Sequence, residues 1–391
     1  MGVRSSAEYN DNIHLEESHE TTDILYKVSP WVDIQSQWPR FRSALSYHPS
    51  YTWYETHREY DSAGHRFEVD LAGDVAKNAG LSFNTLFERT EEGTSDDQDL
   101  QGSTRLPYTN LSSTFSGTWV PGRDELCGFS LTGESLDYDS QSESEDSREV
   151  RGRINARKRL QGHFSGTLEA GYLEGRYDDS TSYQLGSGTL GSEYALTPKK
   201  RVFGRMAFSK YTGDSRANYS TFNPFIGMAQ EFQNGQYDLG AGVLIRDQEG
   251  ADITCQFSVV GNADVTKSWR RGALTASFST GHEEEYIDFD NPGFDTYVSG
   301  KVSGWYSLSR KWKGNGGCEL RDDDYQETNS GQSDRNDVTF KIMGGIERQL
   351  KRHATLRLDY SYHTRRSNMD EYEYDENSIV LTLNFFTKPV P

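Results

Sequence analysis

Alternation of apolar and polar residues with a period of two, sustained along the whole chain, is the feature that most limits what this sequence can become. Between Ile24 and Gln35 the even positions read Ile24, Tyr26, Val28, Pro30, Val32, Ile34, and the odd ones Leu25, Lys27, Ser29, Trp31, Asp33, Gln35. The pattern returns as Phe67, Val69 and Leu71 against Arg66, Glu68 and Asp70. At the far end it sets Ile379, Leu381, Leu383 and Phe385 against Ser378, Thr382 and Asn384. Successive side chains of a strand point to opposite faces, so these segments are strands with one oily and one wet side. Each runs for about ten residues, the length of a tilted strand that crosses a bilayer.

Composition fits a membrane reading of that pattern. Only 34% of the residues are hydrophobic and the mean hydropathy is −0.81, too polar for an ordinary packed core. A transmembrane barrel escapes that requirement, because half of each strand faces a wet lumen. No apolar run approaches the roughly 18 residues of a spanning helix. Aromatics at strand ends, among them Trp53, Phe87, Tyr172, Phe208, Tyr306 and Tyr362, suit interfacial girdles. A soluble propeller or solenoid would show an internal repeat, and a sandwich would need an aliphatic inner face; the sequence has neither.

The connections alternate between short and long. Short ones near Trp38–Arg42, Arg157–Arg159, Lys199–Arg201, Lys267–Arg271, Arg310–Lys313 and Arg348–Arg352 are basic. Long ones at Asp11–Asp23, Asp137–Glu149, Glu283–Asp295, Asp322–Asp337 and Asp370–Glu376 are acidic. The sequence therefore predicts an all-β, up-and-down antiparallel barrel of about 20 strands (roughly 18 to 22), with short periplasmic turns and long extracellular loops. Residues 1–386 form this single domain and 387–391 a short C-terminal extension. Tyr108–Trp119 and Tyr183–Thr197 alternate poorly and read as one strand each or as a strand plus an ordered loop. Met1-Gly2-Val3-Arg4 shows no apolar signal region, which points to a mature bacterial outer-membrane chain with an added start Met.

The net charge of −19 argues against nucleic acid, which needs a basic face. Cys127, Cys255 and Cys318 form no CxxC or CxxCH and each continues an apolar alternation, so they read as unpaired thiols on the oily face and no cofactor is expected. No Walker or dinucleotide motif is present. The loop histidines His14, His19, His57, His65, His282 and His363 make no catalytic pattern, and no enzymatic activity is expected. The acidic clusters Asp137-Tyr138-Asp139, Glu283–Glu285 and Asp322–Asp324 lack a calcium-loop spacing and read as a solvated rim.

On the wet side, Arg42, Arg66, Arg205, Lys301, Arg321 and Arg357 balance carboxylates such as Glu68, Asp70 and Asp359. Such a wall forms cross-strand ion pairs rather than a single-sign filter. Trp31, Tyr54, Tyr211 and Trp305 share that side and offer stacking surfaces for sugar rings.

Ala7-Glu8-Tyr9-Asn10-Asp11-Asn12-Ile13, Leu45-Ser46-Tyr47-His48-Pro49-Ser50-Tyr51 before a loop closing on His65, Leu190-Gly191-Ser192-Glu193-Tyr194 with Thr197, and Asn377-Ser378-Ile379-Val380-Leu381-Thr382-Leu383 together carry a resemblance. The chain resembles the outer-membrane β-barrel porin family found beside exopolysaccharide biosynthesis and export genes. The resemblance implies a passive conduit in polysaccharide export, working with outer-membrane lipid and periplasmic partner proteins, and no catalytic residues. It departs at the end, where Phe385-Phe386 is followed by Thr387-Lys388-Pro389-Val390-Pro391 rather than closing the chain on an aromatic. A wide balanced bore equally suits a barrel that sheathes a multihaem cytochrome, or a general diffusion porin.

Overall fold

In a computed structural model the chain is one twenty-stranded antiparallel sheet in which every strand pairs with its sequence neighbours, and the first pairs with the last. The structure describes residues 1–18, 20–90, 107–138, 146–177, 182–214, 218–249, 255–285, 293–325 and 335–387. Odd strands run from the short-turn end to the long-loop end: β1 Gly2–Asn10, β3 Phe41–Tyr54, β5 Ala79–Thr90, β7 Glu125–Tyr138, β9 Phe164–Tyr177, β11 Lys200–Gly213, β13 Gly235–Gln248, β15 Gly272–Glu285, β17 Trp312–Tyr325 and β19 Ala354–Ser367. Even strands return: β2 Asp23–Trp38, β4 Ser62–Ala76, β6 Tyr108–Trp119, β8 Ser147–Gln161, β10 Ser182–Thr197, β12 Tyr219–Phe232, β14 Cys255–Trp269, β16 Gly293–Ser307, β18 Arg335–Lys351 and β20 Tyr374–Phe386. The two poorly alternating segments are each a single strand, β6 and β10.

Closure follows from what the sheet must do with its edges. β1 and β20 pair from Gly2↔Phe386 to Asn10↔Ser378, and just beyond, the Thr387 amide donates to the Met1 carbonyl at 3.1 Å. A barrel built this way leaves no open strand edge for oil to meet. Two interruptions have a covalent cause. Pro30 faces Pro49 where the β2–β3 ladder skips from Val28↔Tyr51 to Val32↔Tyr47, and Pro224 sits where β12–β13 skips from Phe222↔Ile245 to Phe225↔Gly242. Proline has no N–H to give the ladder.

The period-two pattern sorts the wall into two faces. Ile226, Phe257 and Val259 are 70, 69 and 71% exposed, and the same face carries Ile34, Leu131, Ile154, Leu168 and Leu320, all exposed. Such a continuous oily surface belongs against lipid. Cys127 and Cys318, both free, stand on this face beside Phe129 and Leu320. Tyr26, Tyr51 and Trp53 form a girdle at its loop end, with ring centroids 5.6 and 6.1 Å apart. No helix of the described residues is long and apolar enough to cross a membrane, and the barrel crosses with strands.

Most short connections are two residues long, and register shifts at Asp74/Ala76, Arg159/Gln161, Ala195/Thr197 and Gln349/Lys351 lie beside them. These bulges bend the strand into its turn. Gly162, at φ +52°, takes the left-handed position in the β8–β9 turn. Basic residues gather at this end, with Arg40, Lys77, Lys199, Arg270, Arg271 and Arg352 in the turns. One expected basic turn is different: Arg157–Arg159 lies inside β8, because the chain turns later, at Gly162 and His163.

The face assignment makes a prediction. Ile226→Arg on the oily side should cost about 2–4 kcal/mol of folding stability, read as a lower urea midpoint in lipid vesicles. Thr114→Arg on the wet side should change it little. Equal midpoints for Ile226→Arg and the unchanged chain would mean the faces are reversed.

Candidate functional site

The concave face of the wall is the surface available for function. The charged residues expected there share one side of the sheet, opposite the oily one, and most meet a partner of opposite sign. Arg66 reaches Glu88 on β5 at 3.4 Å, Lys301 reaches Glu319 on β17 at 2.9 Å, and Arg357 reaches Asp359 at 2.6 Å. Asp70 accepts from Asn84 at 2.6 Å. Arg42 lines a recess at the turn end with Gln37, Ser82 and Ser116. Glu68 follows Arg66 on β4, pairing in register with Ser46 and Leu86. Arg205 instead stacks on Phe225, 4.3 Å from its centroid, and Phe225 lies flat against Gly240 and Gly242, where a Cβ would collide with the ring.

Arg321 is the most heavily engaged of the set. Its guanidinium meets Glu283 at 2.7 Å, Asp323 at 2.7 Å and Asp295 at 3.6 Å, and it covers the Tyr297 ring at 4.4 Å. Two residues from the acidic clusters, Glu283 and Asp323, are thus held by an arginine. Asp139 and His19 lie outside the described residues. Among the described residues no group of three or more His, Cys, Asp or Glu is placed to hold a metal.

A second set was not anticipated. Arg151, Arg153, Arg157 and Arg159 stand at alternate positions of β8 on its wet side and pair with Glu149, Glu169, Glu193 and Asp124 at 2.7, 3.2, 3.4 and 3.4 Å. The signal was legible as Arg-Gly-Arg-Ile-Asn-Ala-Arg-Lys-Arg, with Gly152, Ile154 and Ala156 alternating with the wet-side positions and only Lys158 breaking the pattern. The density of arginines suggested a turn instead. The arginines are 49 to 61% exposed, and the pairs to Glu169, Glu193 and Asp124 stay solvated, each contributing about 0.2–1 kcal/mol; Glu149, 7% exposed, also accepts from the Tyr183 hydroxyl at 3.2 Å.

The aromatic candidates divide. Trp305, near the turn end of β16, is 47% exposed. Trp31 lies over Gly2, where any Cβ would strike its ring, and meets Phe386 edge-on at 5.8 Å. Tyr54 and Tyr211 are each 1% exposed, so their ring faces are already used. Tyr54 packs with Ile13, Leu25 and Tyr60 beneath the first long loop. Tyr211 stacks between Tyr183 and Tyr219 at 6.3 and 5.1 Å. Alternation identifies which side a residue faces but not whether another segment covers it.

Loops at the long-loop rim are tied to the wall. Asn12 is fully buried and donates to the carbonyls of Glu16 and Asp375 at 2.8 Å each. Asp23, at the loop end of β2 above the oily belt, accepts from the backbone amides of His57 and Thr56 and from the His57 ring. Burial pushes its carboxyl up, but these bonds and the Ile24 amide outweigh burial and hold it below the usual carboxylate range.

Comparison with known proteins agrees with this geometry. Residues 2–123 match the model of a family described as "Putative beta-barrel porin 2". No curated protein matches the sequence. Among solved structures, the FrpB iron transporter of Neisseria meningitidis aligns with a TM-score of 0.56 at 8% identity, covering 98% of this chain and 82% of that one. The ferric-catecholate import receptor Fiu of E. coli aligns at 0.54 and 9%, covering 98 and 81%. The siderophore receptor PirA of Pseudomonas aeruginosa aligns at 0.52 and 9%, covering 98 and 80%. At such identities the likeness is one of fold: a porin-like β-barrel scaffold.

The contrast between engaged and solvated charges can be measured. Arg321→Ala leaves three carboxylates facing one another and should lower stability by about 3 kcal/mol. Arg66→Ala, from an exposed pair, should cost less than about 1 kcal/mol. Urea unfolding in vesicles reads both, and equal losses would contradict the distinction.

Proposed function

We propose that this barrel is a passive outer-membrane conduit through which a polysaccharide leaves the cell. The observation that carries the reading is the character of the concave wall: twenty strands wide and lined with ion pairs of both signs rather than one. Barrels of 16 to 18 strands already enclose an aqueous channel, so a wall of twenty can admit a polymer. A balanced wall sets up no barrier to a neutral polyhydroxylated chain, and its solvated arginines and carboxylates are donors and acceptors that hydroxyl groups can share.

Trp305 presents a half-exposed ring near the turn-side mouth, and Trp31 holds a second ring beside the start of β1. An indole face is a stacking surface for the apolar face of a sugar ring. Weak contacts of this kind favour entry without trapping the polymer. The barrel itself would supply no energy, so the driving force comes from the inner membrane. Its basic turns offer a docking surface to acidic periplasmic partners. The resemblance of the N-terminal third to porins is consistent with this role.

The test is surface polysaccharide in cells carrying Trp31→Ala and Trp305→Ala, with barrel abundance held constant. The expected result is a several-fold drop. Unchanged polysaccharide would overturn the sugar reading. Retention of a red multihaem protein by the barrel purified from native membranes would replace it with an electron-conduit sheath.

A further inference from the structure

One hairpin does not stay in the wall. The ladder between β14 and β15 runs from Trp269↔Gly272 to Gly261↔Thr280 and stops there. On either side pairing continues much higher, to Asp247↔Cys255 between β13 and β14 and to Glu285↔Gly293 between β15 and β16. No proline interrupts either strand at this point, unlike the gaps near Pro30, Pro49 and Pro224. Where the ladder stops, the Thr280 hydroxyl donates to the Val259 carbonyl at 3.1 Å.

Above that tie the two faces exchange roles. Phe294 continues the row of Val298 and Val302 on β16, both exposed on the lipid side, yet it is 1% exposed. Its ring meets Tyr219 edge-on at 5.4 Å and lies under the Arg246 guanidinium at 4.1 Å. His282 on β15 stacks on the Phe294 ring at 5.5 Å. Tyr219 and Arg246 belong to the concave faces of β12 and β13, and Leu244, Val260, Tyr211 and Tyr183 are among the residues that cluster with Tyr219 and Phe294. A side chain of β16 can touch the inside of β12 only if its hairpin passes inside β13 and β14. The opposite side of the hairpin carries Glu283 and Asp295, which Arg321 ties to β17.

We infer that the upper ends of β15 and β16, around Glu283 and Phe294, are the size-selecting element of the conduit, a bar laid inside the wall and held by the seating of Phe294 on Tyr219 and Arg246. The inference rests on the conduit reading but not on what is carried. An aromatic seat on one side and a three-carboxylate arginine clamp on the other fix the bar at both flanks, so the bore at this height is set by Phe294 and its seat rather than by strand number. Truncating the ring removes the contact that holds the hairpin off the lumen axis and inside the wall.

The experiment is single-channel conductance of the full purified chain in planar bilayers, with polyethylene glycols of increasing size as blockers. Phe294→Ala should change conductance by at least about 1.5-fold and shift the polymer size that enters, whereas Phe294→Leu, which keeps an apolar group in the seat, should stay close to the unchanged chain. Tyr219→Ala unseats the same ring from the other side and should reproduce the effect if Phe294→Ala fails to fold, folding being read from heat-modifiable mobility. A folded Phe294→Ala or Tyr219→Ala barrel with unaltered conductance and cut-off would overturn the inference, as would silence of the unchanged chain and both variants. Normal surface polysaccharide alongside altered conductance would strike only the sugar reading.

Discussion

The structure depends on one requirement: inside a bilayer every backbone N–H and C=O must find a partner within the protein. No water is there to take the place of a missing strand. A sheet with a free edge is therefore excluded, and the pairing of β1 with β20 is what turns twenty amphipathic strands into an object that can sit in oil. The same requirement explains where irregularity is tolerated. Bulges collect at the turn end, outside the oily belt, and the prolines cost only local ladder bonds flanked by intact pairing.

Once closure is met, the side chains divide the work. The convex face carries a continuous layer of aliphatics and aromatics with no protein layer over it, since lipid packs against it. The concave face has to remain wet without being uniformly charged. On β8 this is done with arginines at alternate positions answered by carboxylates from β8 itself, β9, β10 and the β6–β7 turn. Because the pairs to Glu169, Glu193 and Asp124 stay solvated, they hold the wall together weakly and leave its surface chemistry open to a passing ligand. Arg321 is of another kind: three carboxylates converge on it, and its place is structural.

Much of this was legible in the sequence because period-two alternation maps directly onto the two faces of a barrel. Strand number and the side on which Arg66, Lys301 or Trp305 stands follow from counting in twos. What alternation cannot encode is a strand that leaves the sheet. Phe294 keeps the parity of a lipid-facing residue and is buried inside, because the hairpin that bears it bends away from β14. Tyr54 and Tyr211 keep the parity of the wet side but are covered, Tyr54 by Tyr60 in the loop that follows its strand and Tyr211 by Tyr183 on the neighbouring strand β10, contacts that alternation does not encode. The β8 arginines failed for the opposite reason: a local density of basic residues outweighed a strict alternation that was present all along.

The seam between β1 and β20 has a consequence for how the protein comes to exist. Arg4 and Asn384, which share a hydrogen bond at 3.1 Å across it, are 380 positions apart. Contacts of such sequence separation are slow to form, because the intervening chain must be ordered before they reward it. Until the last strand arrives the cylinder is an open, curled sheet with two sticky margins and an oily flank. That intermediate would pair with any similar margin it met. Biogenesis is thus best served by a templating machine that offers a temporary margin of its own, shelters the unfinished sheet, and lets go only when the two ends of the polypeptide meet.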